Sequence, residues 1–413
     1  MNILLTSLMV PGAPSGVRVH YERLAELLRQ EGHTVTLVTQ DSLRPLIRRA
    51  IGGIRRTLKL LLGNLGEQIG IEVGSVAEIY FAIDRKAVYD VVNSQDVSSG
   101  LAARLALRDK VPVVVTGHFN DHPAEELVHQ RGFKGLTARF LHRWYNFLLS
   151  RTRNFIGVSE YVLRRILPWL PTDNQHAVVY NGVSVPATPP TLPTDAPNLR
   201  ALFPNRPIVL NVGQLEPRKN QRYLVQVAAE LRTLHTDFVL VLVGKGEDEA
   251  VLRQQIAAAG LEQHVVLLGY HRHIMELLRD ADLYVHAATR ENCPLVLLEA
   301  MAVGCPAVAL TVGGIPELLA PTPQALIAPT TPPATLARQL RELLSNATAL
   351  AHLQQKQRAF GAQHFSAQAM LNATLDFFEQ VQHSTPTTNS SSLTSHSTIS
   401  SYTTPVLHPI ENL

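Results

Sequence analysis

Two glutamates in one apolar segment are the residues of this chain best placed to do chemistry. Glu291 and Glu299 stand eight positions apart in residues 290–317, R-E-N-C-P-L-V-L-L-E-A-M-A-V-G-C-P-A-V-A-L-T-V-G-G-I-P-E. A helix turn takes about 3.6 residues, so a helix through both would bring the carboxylates to nearly one face. Pro294 suits a helix start, which would leave Glu291 at the N-terminal mouth and Glu299 inside the helix. Exposed N–H groups at such a mouth suit anionic or hydroxyl-rich ligands.

The residues around this pair favour a ligand site over a plain helix. Two glutamates at this spacing also occur on amphipathic helices, where one acid is solvated and the other caps the helix. Here Gly304 and Pro306 end the helical pattern, the run 307–310 is apolar and strand-like, and Gly313 with Gly314 indicates a turn. The whole segment therefore favours the functional interpretation.

A cationic loop is the second candidate. It runs from Gly213 to Asn220 (G-Q-L-E-P-R-K-N), directly after the apolar run 208–212. Arg218 and Lys219 could hold a diphosphate, because charge-assisted hydrogen bonds to phosphate are strong. Adjacent cations after a turn are also common on solvated surfaces, so the loop alone does not decide the matter.

The first half of the chain offers a glycine turn and a histidine. The turn from Gly12 to Gly16 (G-A-P-S-G) lies between an apolar run and a helical pattern. There the backbone could approach a phosphate or a sugar, or simply form a flexible turn. His118 ends the run V-V-V-T-G-H, and the carboxyl ends of parallel strands face the ligand crevice. Asn120 and Asp121 are weaker candidates at the same edge.

The motif Asp280-Ala281-Asp282 has the spacing of a metal-binding D-x-D. It directly precedes the strand-like run 283–286, which favours a structural role, and no other cluster of ligands accompanies it. We therefore expect no metal and no cofactor, and a diphosphate would have to be neutralised by protein cations and helix dipoles.

Composition limits the class of protein. A chain of 413 residues exceeds a typical single core, and its 46% apolar and 17% charged residues fit a globular protein of two domains. The net charge of +3 is too small to indicate nucleic acid. Cys293 and Cys305 give neither a disulfide framework nor a metal spacing and fit a reducing compartment. The start M-N-I-L-L-T-S is unlike a signal peptide, and glycines and prolines interrupt the uncharged run 300–316, so we expect no membrane span.

Short apolar runs alternate with helical patterns, which is typical of parallel sheets covered on both faces. The predicted strands of the first half are 3–6, 35–39, 113–116, 155–158 and 178–180. Those of the second half are 208–212, 238–243, 265–268, 283–286, 307–310 and 326–328. We expect Rossmann-like domains over 1–182 and 205–364, a proline-rich linker over 183–204, a helix over 365–382 and a disordered Ser/Thr-rich tail over 383–413.

A basic amphipathic pattern runs from 44 to 59. Apolar residues share one face: Leu43, Ile47, Ile51, Ile54, Leu58 and Leu61. Cations share the opposite face or flank it: Arg44, Arg48, Arg49, Arg55, Arg56 and Lys59. Gly52 and Gly53 would weaken one continuous helix. Such a helix could lie on an anionic membrane, or pack on the sheet with its basic face in solvent.

These motifs together resemble one enzyme family. The Glu291 and Glu299 pair resembles the E-x7-E signature of retaining glycosyltransferases, and L-E-A-M-A…G-G-I-P-E resembles the large family 4, also called group 1. Further matches include V-H-Y-E-R-L-A-E-L-L-R-Q-E-G-H, N-G-V at 181–183 and the G-x-G turn that begins at Gly244. Some positions depart from the family: Gln214 replaces an arginine, and Ser15 replaces the first glycine of a pair.

The resemblance covers roughly residues 1 to 382 and implies the GT-B fold, in which two Rossmann-like domains face a cleft and a C-terminal helix returns to the first domain. It implies that His118, Lys219 and Glu291 take part in the chemistry. The implied donor-binding residues are Gly16, Gln214, Arg218, Lys219, Gly244, Tyr270, Glu291, Asn292, Cys293, Pro294, Leu295 and Glu299. Within that set, Glu299 would bind the ribose and Glu291 the sugar, while Arg218 and Lys219 would hold the diphosphate.

The resemblance implies a metal-independent retaining enzyme that moves a sugar from a UDP- or GDP-linked donor to a glycan, lipid-linked or small-molecule acceptor. We expect it in the cytoplasm, and residues 44–59 would allow peripheral contact with the inner face of the membrane if their basic face is not simply solvated. Two alternatives stay open: a GT-B nucleotide-sugar epimerase or hydrolysing relative, and a non-catalytic nucleotide-sugar binder. Gln214 and the pair Asn292-Cys293, where many relatives carry Gly-Phe, keep the binder in consideration.

Overall fold

The computed structural model describes residues 1–10, 15–185 and 197–384. Two six-stranded sheets organise these residues, with strand orders β2-β1-β3-β4-β5-β6 and β12-β11-β10-β7-β8-β9. The first sheet consists of β1 Asn2–Ser7, β2 Thr34–Thr39, β3 Val91–Ser94, β4 Val113–Gly117, β5 Asn154–Gly157 and β6 Gln175–Val178. The second consists of β7 Ile208–Val212, β8 Val239–Val243, β9 Val265–Gly269, β10 Leu283–His286, β11 Ala307–Leu310 and β12 Leu326–Ile327.

Neighbouring strands in both sheets run parallel. Helices connect them: α1 Gly16–Gln30, α2 Pro45–Ala82, α3 Val97–Leu107, α4 Pro123–Arg131, α5 Gly135–Leu149, α6 Glu160–Ile166, α7 Leu199–Leu202, α8 Gln221–Thr233, α9 Glu249–Ala258, α10 Ile274–Asp280, α11 Leu295–Val303, α12 Ile315–Leu318, α13 Pro333–Leu344, α14 Ala347–His364 and α15 Ala367–His383. Every residue of β7 and β8 is buried, because helices cover both faces of the sheet.

Most predicted strands are confirmed, and the two errors have a common cause. Strand β3 was not predicted because its four residues, V-V-N-S, end in buried polar side chains instead of continuing the apolar run. The strand predicted at 178–180 lies earlier, at 175–178. There β6 forms the edge of its sheet and is only half-buried, so its sequence lacks the valine-rich signature of the central strands.

The predicted linker is partly a packed element. Residues 186–196 lie outside the described residues, but α7 falls inside the range predicted as linker. Leu199 is fully buried, and its N–H donates to Asp280 Oδ2 at 2.8 Å. Arg200 pairs with Asp282, whose carboxylate also accepts the N–H of Ile208 at 2.7 Å. These bonds assign Asp280 and Asp282 a structural role, in agreement with the interpretation of the D-x-D motif.

The basic segment forms one arm of a helical hairpin. Helix α2 reverses direction at Gly63, whose backbone (φ 56°, ψ −136°) is not helical, while Gly52 and Gly53 continue the helix contrary to expectation. The arms are antiparallel, since Lys59 Nζ lies 2.8 Å from Glu67 Oε1. Arg55 was predicted on the solvated basic face; instead it turns between the arms and pairs with Glu78.

That ion pair spans 3.0 Å, and the Arg55 Nε also donates to Gly70 O at 2.9 Å. A side chain at Gly74 would force the guanidinium to shift, because a Cβ there would lie 2.6 Å from Arg55 Nε. The hairpin is therefore closed by an internal charge, and the cations left for solvent lie farther along its outer face. None of the helices in the described residues is both long and apolar enough to cross a bilayer.

The last helix packs on the first sheet instead of the second. Met370, Leu371, Phe377, Phe378 and Val381 of α15 share an apolar cluster with Ile3 and Leu5 of β1 and Leu24 and Leu28 of α1. The chain leaves the first sheet and comes back to it at one place, where Val183 pairs with Ser366 in a parallel bridge. The predicted tail lies outside the described residues from position 385 onward.

We expect Phe378→Ala to lower the free energy of unfolding by about 3–5 kcal/mol, because Phe378 is fully buried between α15 and the first sheet. Urea unfolding followed by fluorescence measures the change. Glu379→Ala on the exposed face of the same helix is the matched control and should stay within about 0.5 kcal/mol of the parent chain. Equal losses in the two variants would contradict the packing described above.

Candidate functional site

The two sheets place their switch points at the candidate residues. In each sheet the strand order reverses beside the first strand, and ligands of such sheets bind outside the carboxyl ends of the strands at that point. In the second sheet β7 and β10 are the neighbours at the reversal. The cationic loop follows β7 and Glu291 follows β10, so two segments more than 70 residues apart meet at one edge.

Glu291 lies at the centre of this edge and is almost fully buried. Its Oε1 accepts a hydrogen bond from Lys219 Nζ and another from Arg218 Nη1, the latter at 3.1 Å. His286 Nε2 lies 3.7 Å from the same oxygen. Two donors therefore bond to Oε1 with His286 nearby, while no side chain of the described residues donates to Oε2.

The charge of this carboxylate is compensated by its neighbours. Burial alone would raise the pKa of Glu291, but the contact with His286 and the charges of Lys219 and Arg218 outweigh it and hold the pKa well below its usual range. The carboxylate is therefore ionised at neutral pH, and the two cations are held in place at the edge of the sheet.

Backbone contacts fix Glu291 as firmly as its side chain. Gly313 adopts a left-handed conformation (φ 54°), and a Cβ there would lie 1.7 Å from Glu291 O. Gly314 N donates to that same carbonyl at 3.1 Å. The glycine turn predicted from the sequence is thus required by close approach of two backbones, since no other residue would fit at Gly313.

The cationic loop is a short 3-10 turn over Pro217–Lys219. It begins at Gly213, which lies so close to Gly244 that a Cβ on Gly244 would meet Gly213 O at 1.9 Å. Asn220 ends the turn in the left-handed conformation (φ 58°) before α8 starts. Arg218 also pairs with Glu216 at 2.8 Å, which orients the guanidinium toward β10.

Helix α11 begins after Pro294, so Glu299 lies in its second turn, as predicted. Glu291 precedes the helix, and the eight-residue spacing therefore does not place both acids on one helical face. Burial raises the pKa of Glu299, with Arg23 of the first domain acting in the opposite direction. Among the described residues nothing donates a hydrogen bond to its carboxylate, so both oxygens are without a protein partner there.

His118 belongs to a buried polar chain on the first sheet. Its Nε2 donates to Gln95 Oε1 at 3.0 Å, and Gln95 Nε2 donates to Asn93 Oδ1 at 2.5 Å. Burial lowers the pKa of His118 well below its usual range, so the ring is neutral and its Nδ1 is an acceptor. The His20 ring of α1 lies edge-on to it, with centroids 4.8 Å apart.

The two domains touch each other directly at this site. Asn292 Nδ2 donates to Phe119 O, which brings the residue after Glu291 against the residue after His118. Asn181 Nδ2 donates to Cys293 O at 2.7 Å. Gly16 lies beside Leu295, since a Cβ on Gly16 would be 3.9 Å from Leu295 Cδ1. Gly16, Phe119 and Asn181 of the first domain thus lie against residues 292–295 at the start of α11.

A fourth contact crosses the cleft farther from Glu291. The Glu317 carboxylate of the second domain accepts the N–H groups of Glu160 and Tyr161 at 2.8 and 2.7 Å, so it caps the N-terminus of α6. Tyr180 donates its hydroxyl to the same carboxylate at 3.1 Å. Anionic side chains are stabilised at helix N-termini, and this one joins the two domains.

Of the remaining predicted residues, Gln214 and Tyr270 lie at the exposed rim and Cys293 is buried. Gln214 is exposed and bonds to Gln221 only through its backbone oxygen, and Tyr270 is 57% exposed. Cys293 and Pro294 are parts of the turn between Glu291 and α11. Gly12 lies outside the described residues.

Sequence reasoning missed three buried partners of the site: His286, Tyr284 and His20. A signal for the first two was available in the sequence, because Tyr284 and His286 stand two positions apart in β10, whose other residues are apolar. In the described residues, no group of three His, Cys, Asp or Glu side chains has the arrangement of a metal site.

Comparison with known proteins gives the family. Residues 14–185 match the model described as Glycosyltransferase Family 4, and residues 197–360 match the model described as Glycosyl transferases group 1. Together the two models cover most of the chain; the first contains β2 to β6 and the second contains the whole second sheet.

Individual relatives are more distant. The chain is 24% identical to the phosphatidylinositol N-acetylglucosaminyltransferase GPI3 subunit of Saccharomyces cerevisiae, over 74% of this chain and 66% of the relative, so it spans about two thirds of that protein's length. It is 25% identical to the Escherichia coli UDP-Gal:alpha-D-GlcNAc-diphosphoundecaprenol alpha-1,3-galactosyltransferase, over 70% of this chain and 74% of the relative.

Solved structures share the fold. The crystal structure of Anabaena HepE in complex with UDP superposes with a TM-score of 0.66 at 20% identity, over 92% of this chain and 100% of the other. WaaG, a glycosyltransferase involved in lipopolysaccharide biosynthesis, superposes with a TM-score of 0.60 at 16% identity, over 91% and 99%. The predicted GT-B fold is confirmed, and the chain belongs to the group 1 glycosyltransferases, family 4.

Proposed function

We propose that this protein transfers a sugar from a nucleotide diphosphate sugar to a hydroxyl of its acceptor, with retention at the anomeric carbon and without a metal. The observation that carries the proposal is the cluster of Lys219, Arg218 and Glu291 at the switch point of the second sheet. Two cations and an ionised carboxylate at that place match the needs of a diphosphate leaving group beside a sugar with free hydroxyls.

The cations act on the leaving group. When the sugar C1–O bond to the diphosphate breaks, negative charge develops on the phosphate oxygen, and Lys219 with Arg218 stabilises it. Before the donor binds, both cations are held by Glu291 Oε1, so the site keeps them positioned without a ligand. Preorganised charge of this kind needs little rearrangement during the reaction and makes a metal dispensable.

The carboxylates act on the sugar groups. Glu291 Oε2 and the N–H groups at the start of α11 would hold the transferred sugar, and Glu299 would bind the ribose. The acceptor hydroxyl attacks C1 from the face that the diphosphate leaves, and its proton passes to the departing phosphate oxygen. His118 faces this reaction from the first domain as a neutral ring whose Nδ1 would accept a hydrogen bond from the sugar.

The names of relatives suggest which donor and acceptor to test first. HepE structures contain UDP or UDP-glucose, and the Escherichia coli relative uses UDP-Gal, so a UDP-linked sugar is the first donor to test. The yeast and Escherichia coli relatives are named for acceptors carried on phosphatidylinositol and diphosphoundecaprenol. A lipid-linked acceptor is therefore our proposal for this chain as well.

The hairpin of α2 would bring the enzyme to such an acceptor. Leu60, Leu61 and Leu62 at its tip are 87%, 73% and 51% exposed. Six cations and no acid lie between residues 44 and 62; Arg55 and Lys59 pair with acids of the second arm, and the other four are exposed. An apolar tip beside a basic arm suits insertion into an anionic membrane surface, with the cations at the level of the headgroups. This peripheral contact is part of the proposal.

A panel of nucleotides tests the donor. UDP, GDP, UDP-glucose, UDP-N-acetylglucosamine and GDP-mannose are each added while thermal unfolding is followed, because a ligand of the folded state raises the melting temperature. We expect one nucleotide and the corresponding nucleotide sugar to stabilise the protein. Glu299→Ala should lower the affinity for that ligand about tenfold or more, because hydrogen bonds to the ribose are lost. Glu342→Ala, an exposed acid of the same domain, should bind like the parent. Stabilisation by none of these compounds would overturn the proposal.

The chemistry is tested with the donor so identified. Lys219→Met and Glu291→Gln should each lower the rate of donor hydrolysis or transfer by about 100- to 1000-fold, because each removes a charge that acts in the transition state. Lys356→Met on the surface of α14 is the matched control and should leave the rate unchanged. Addition of EDTA should also leave it unchanged. Tight donor binding with no turnover in the parent chain would instead favour the non-catalytic binder.

Membrane contact is tested by flotation with two kinds of vesicle. One contains phosphatidylcholine alone, and the other contains phosphatidylcholine and phosphatidylglycerol in equimolar amounts. We expect binding to the anionic vesicles at low salt, and its loss when Leu60, Leu61 and Leu62 are changed to serine. Leu136→Ser, an equally exposed leucine of α5, is the control and should bind normally. Equal recovery with neutral and anionic vesicles, or none with either, would contradict the proposal.

A further inference from the structure

Two aromatic side chains of β10 lie directly behind Glu291. Tyr284 and His286 are two residues apart, so both project from the same face of the strand. Both are buried, with 0% and 3% of their surface exposed. The Tyr284 hydroxyl and His286 Nδ1 are 2.8 Å apart, and the other ring nitrogen faces Glu291.

The position of the protons follows from these contacts. Burial raises the pKa of Tyr284, so the phenol keeps its proton and can donate it to His286 Nδ1. The ring proton of a neutral His286 then sits on Nε2 and points toward Glu291 Oε1. The opposite tautomer would set a lone pair against a carboxylate, which is electrostatically unfavourable.

His286 Nε2 has no hydrogen-bond partner in the described residues, although it is fully buried. Its distance of 3.7 Å from Glu291 Oε1 is too long for a hydrogen bond. A buried donor without a partner is costly, and a small approach of the carboxylate would satisfy it. In the structure described here Lys219 and Arg218 occupy the oxygen instead.

We infer that His286, held by Tyr284, is the residue that positions Glu291 once a donor is bound. When the diphosphate binds Lys219 and Arg218, Glu291 loses its contacts with both cations. It must nevertheless stay ionised and oriented toward the sugar. His286 cannot leave, because it is part of the strand and sealed from solvent. Its N–H replaces the cations on Oε1, and Oε2 stays available to the sugar.

This inference rests on the proposed role of Glu291, and it separates two ways of losing activity. Loss of Lys219 should weaken binding of the diphosphate. Loss of His286 should leave the diphosphate contacts intact and misorient the group that holds the sugar. The expected signature is therefore a lower kcat and a smaller contribution of the sugar to donor affinity, with the affinity for the free nucleotide unchanged.

The test uses the full chain and three variants: His286→Leu, His286→Gln and Tyr284→Phe. Glutamine can place an amide N–H where His286 Nε2 lies, whereas leucine fills the space without a donor. UDP and UDP-glucose are the probes, unless the nucleotide panel selects the GDP pair. Titration calorimetry gives both affinities, and donor hydrolysis gives kcat. Tyr145→Phe, which removes a half-buried hydroxyl bonded to Glu72 in the first domain, is the control for a lost tyrosine bond.

We expect His286→Leu to lower kcat about 10- to 100-fold, as loss of a supporting partner behind a reactive group commonly does, with the affinity for UDP within about twofold of the parent. His286→Gln should recover most of the loss, and Tyr284→Phe should fall between the two. In a Glu291→Gln background, His286→Leu should cause no further loss, because the two residues act as one unit.

Three results would overturn the inference. Parent-like kcat in His286→Leu would show that the ring does not support Glu291. Equal losses in the glutamine and leucine variants, together with weaker UDP binding, would show a packing role only. A parent chain that binds none of the nucleotides would overturn the proposed function and this inference with it. If the parent chain has turnover, the proposed function stands, and a negative result with the His286 variants overturns only the role of His286.

Discussion

A buried carboxylate that must be compensated by charge organises this molecule. Glu291 lies in an almost water-free position, and an ionised group there is stable only with cations and hydrogen bonds around it. Lys219 and Arg218 come from the loop after β7, and His286 comes from β10. Because those strands are neighbours in the sheet, the topology itself delivers the compensation. The turn at Gly313 and Gly314 then fixes the backbone of Glu291, so the carboxylate and the side chains that compensate its charge have little freedom to move.

The fold was largely predictable from the sequence because its physical signal is strong. Buried parallel strands need continuous apolar runs, and β7, β8, β10 and β11 supply them. Edge and polar strands such as β6 and β3 carry no such signal, since solvent or internal hydrogen bonds take the place of apolar packing. The short helix α7 was hidden by the prolines around it.

The site was predictable in its parts but not in its contacts. Glu291, Lys219 and Arg218 were found from residue type and from the family resemblance, but their convergence on one oxygen depends on loop conformation. Arg55 was assigned to a solvated face because a helical projection contains no second arm; the turn at Gly63 supplies it. His286 was missed for a related reason, because a polar ring inside a strand reveals its partner only in three dimensions.

The bridge between Val183 and Ser366 has a mechanical consequence. The chain crosses between the domains twice, and both crossings are joined by backbone hydrogen bonds, Val183 N to Phe365 O at 2.9 Å and Ala367 N to Val183 O at 3.0 Å. Two segments joined by a pair of backbone hydrogen bonds resist separation and sliding more than bending. A rotation of the second domain relative to the first would therefore displace the residues beside this bridge least, and the displacement would grow with distance from it.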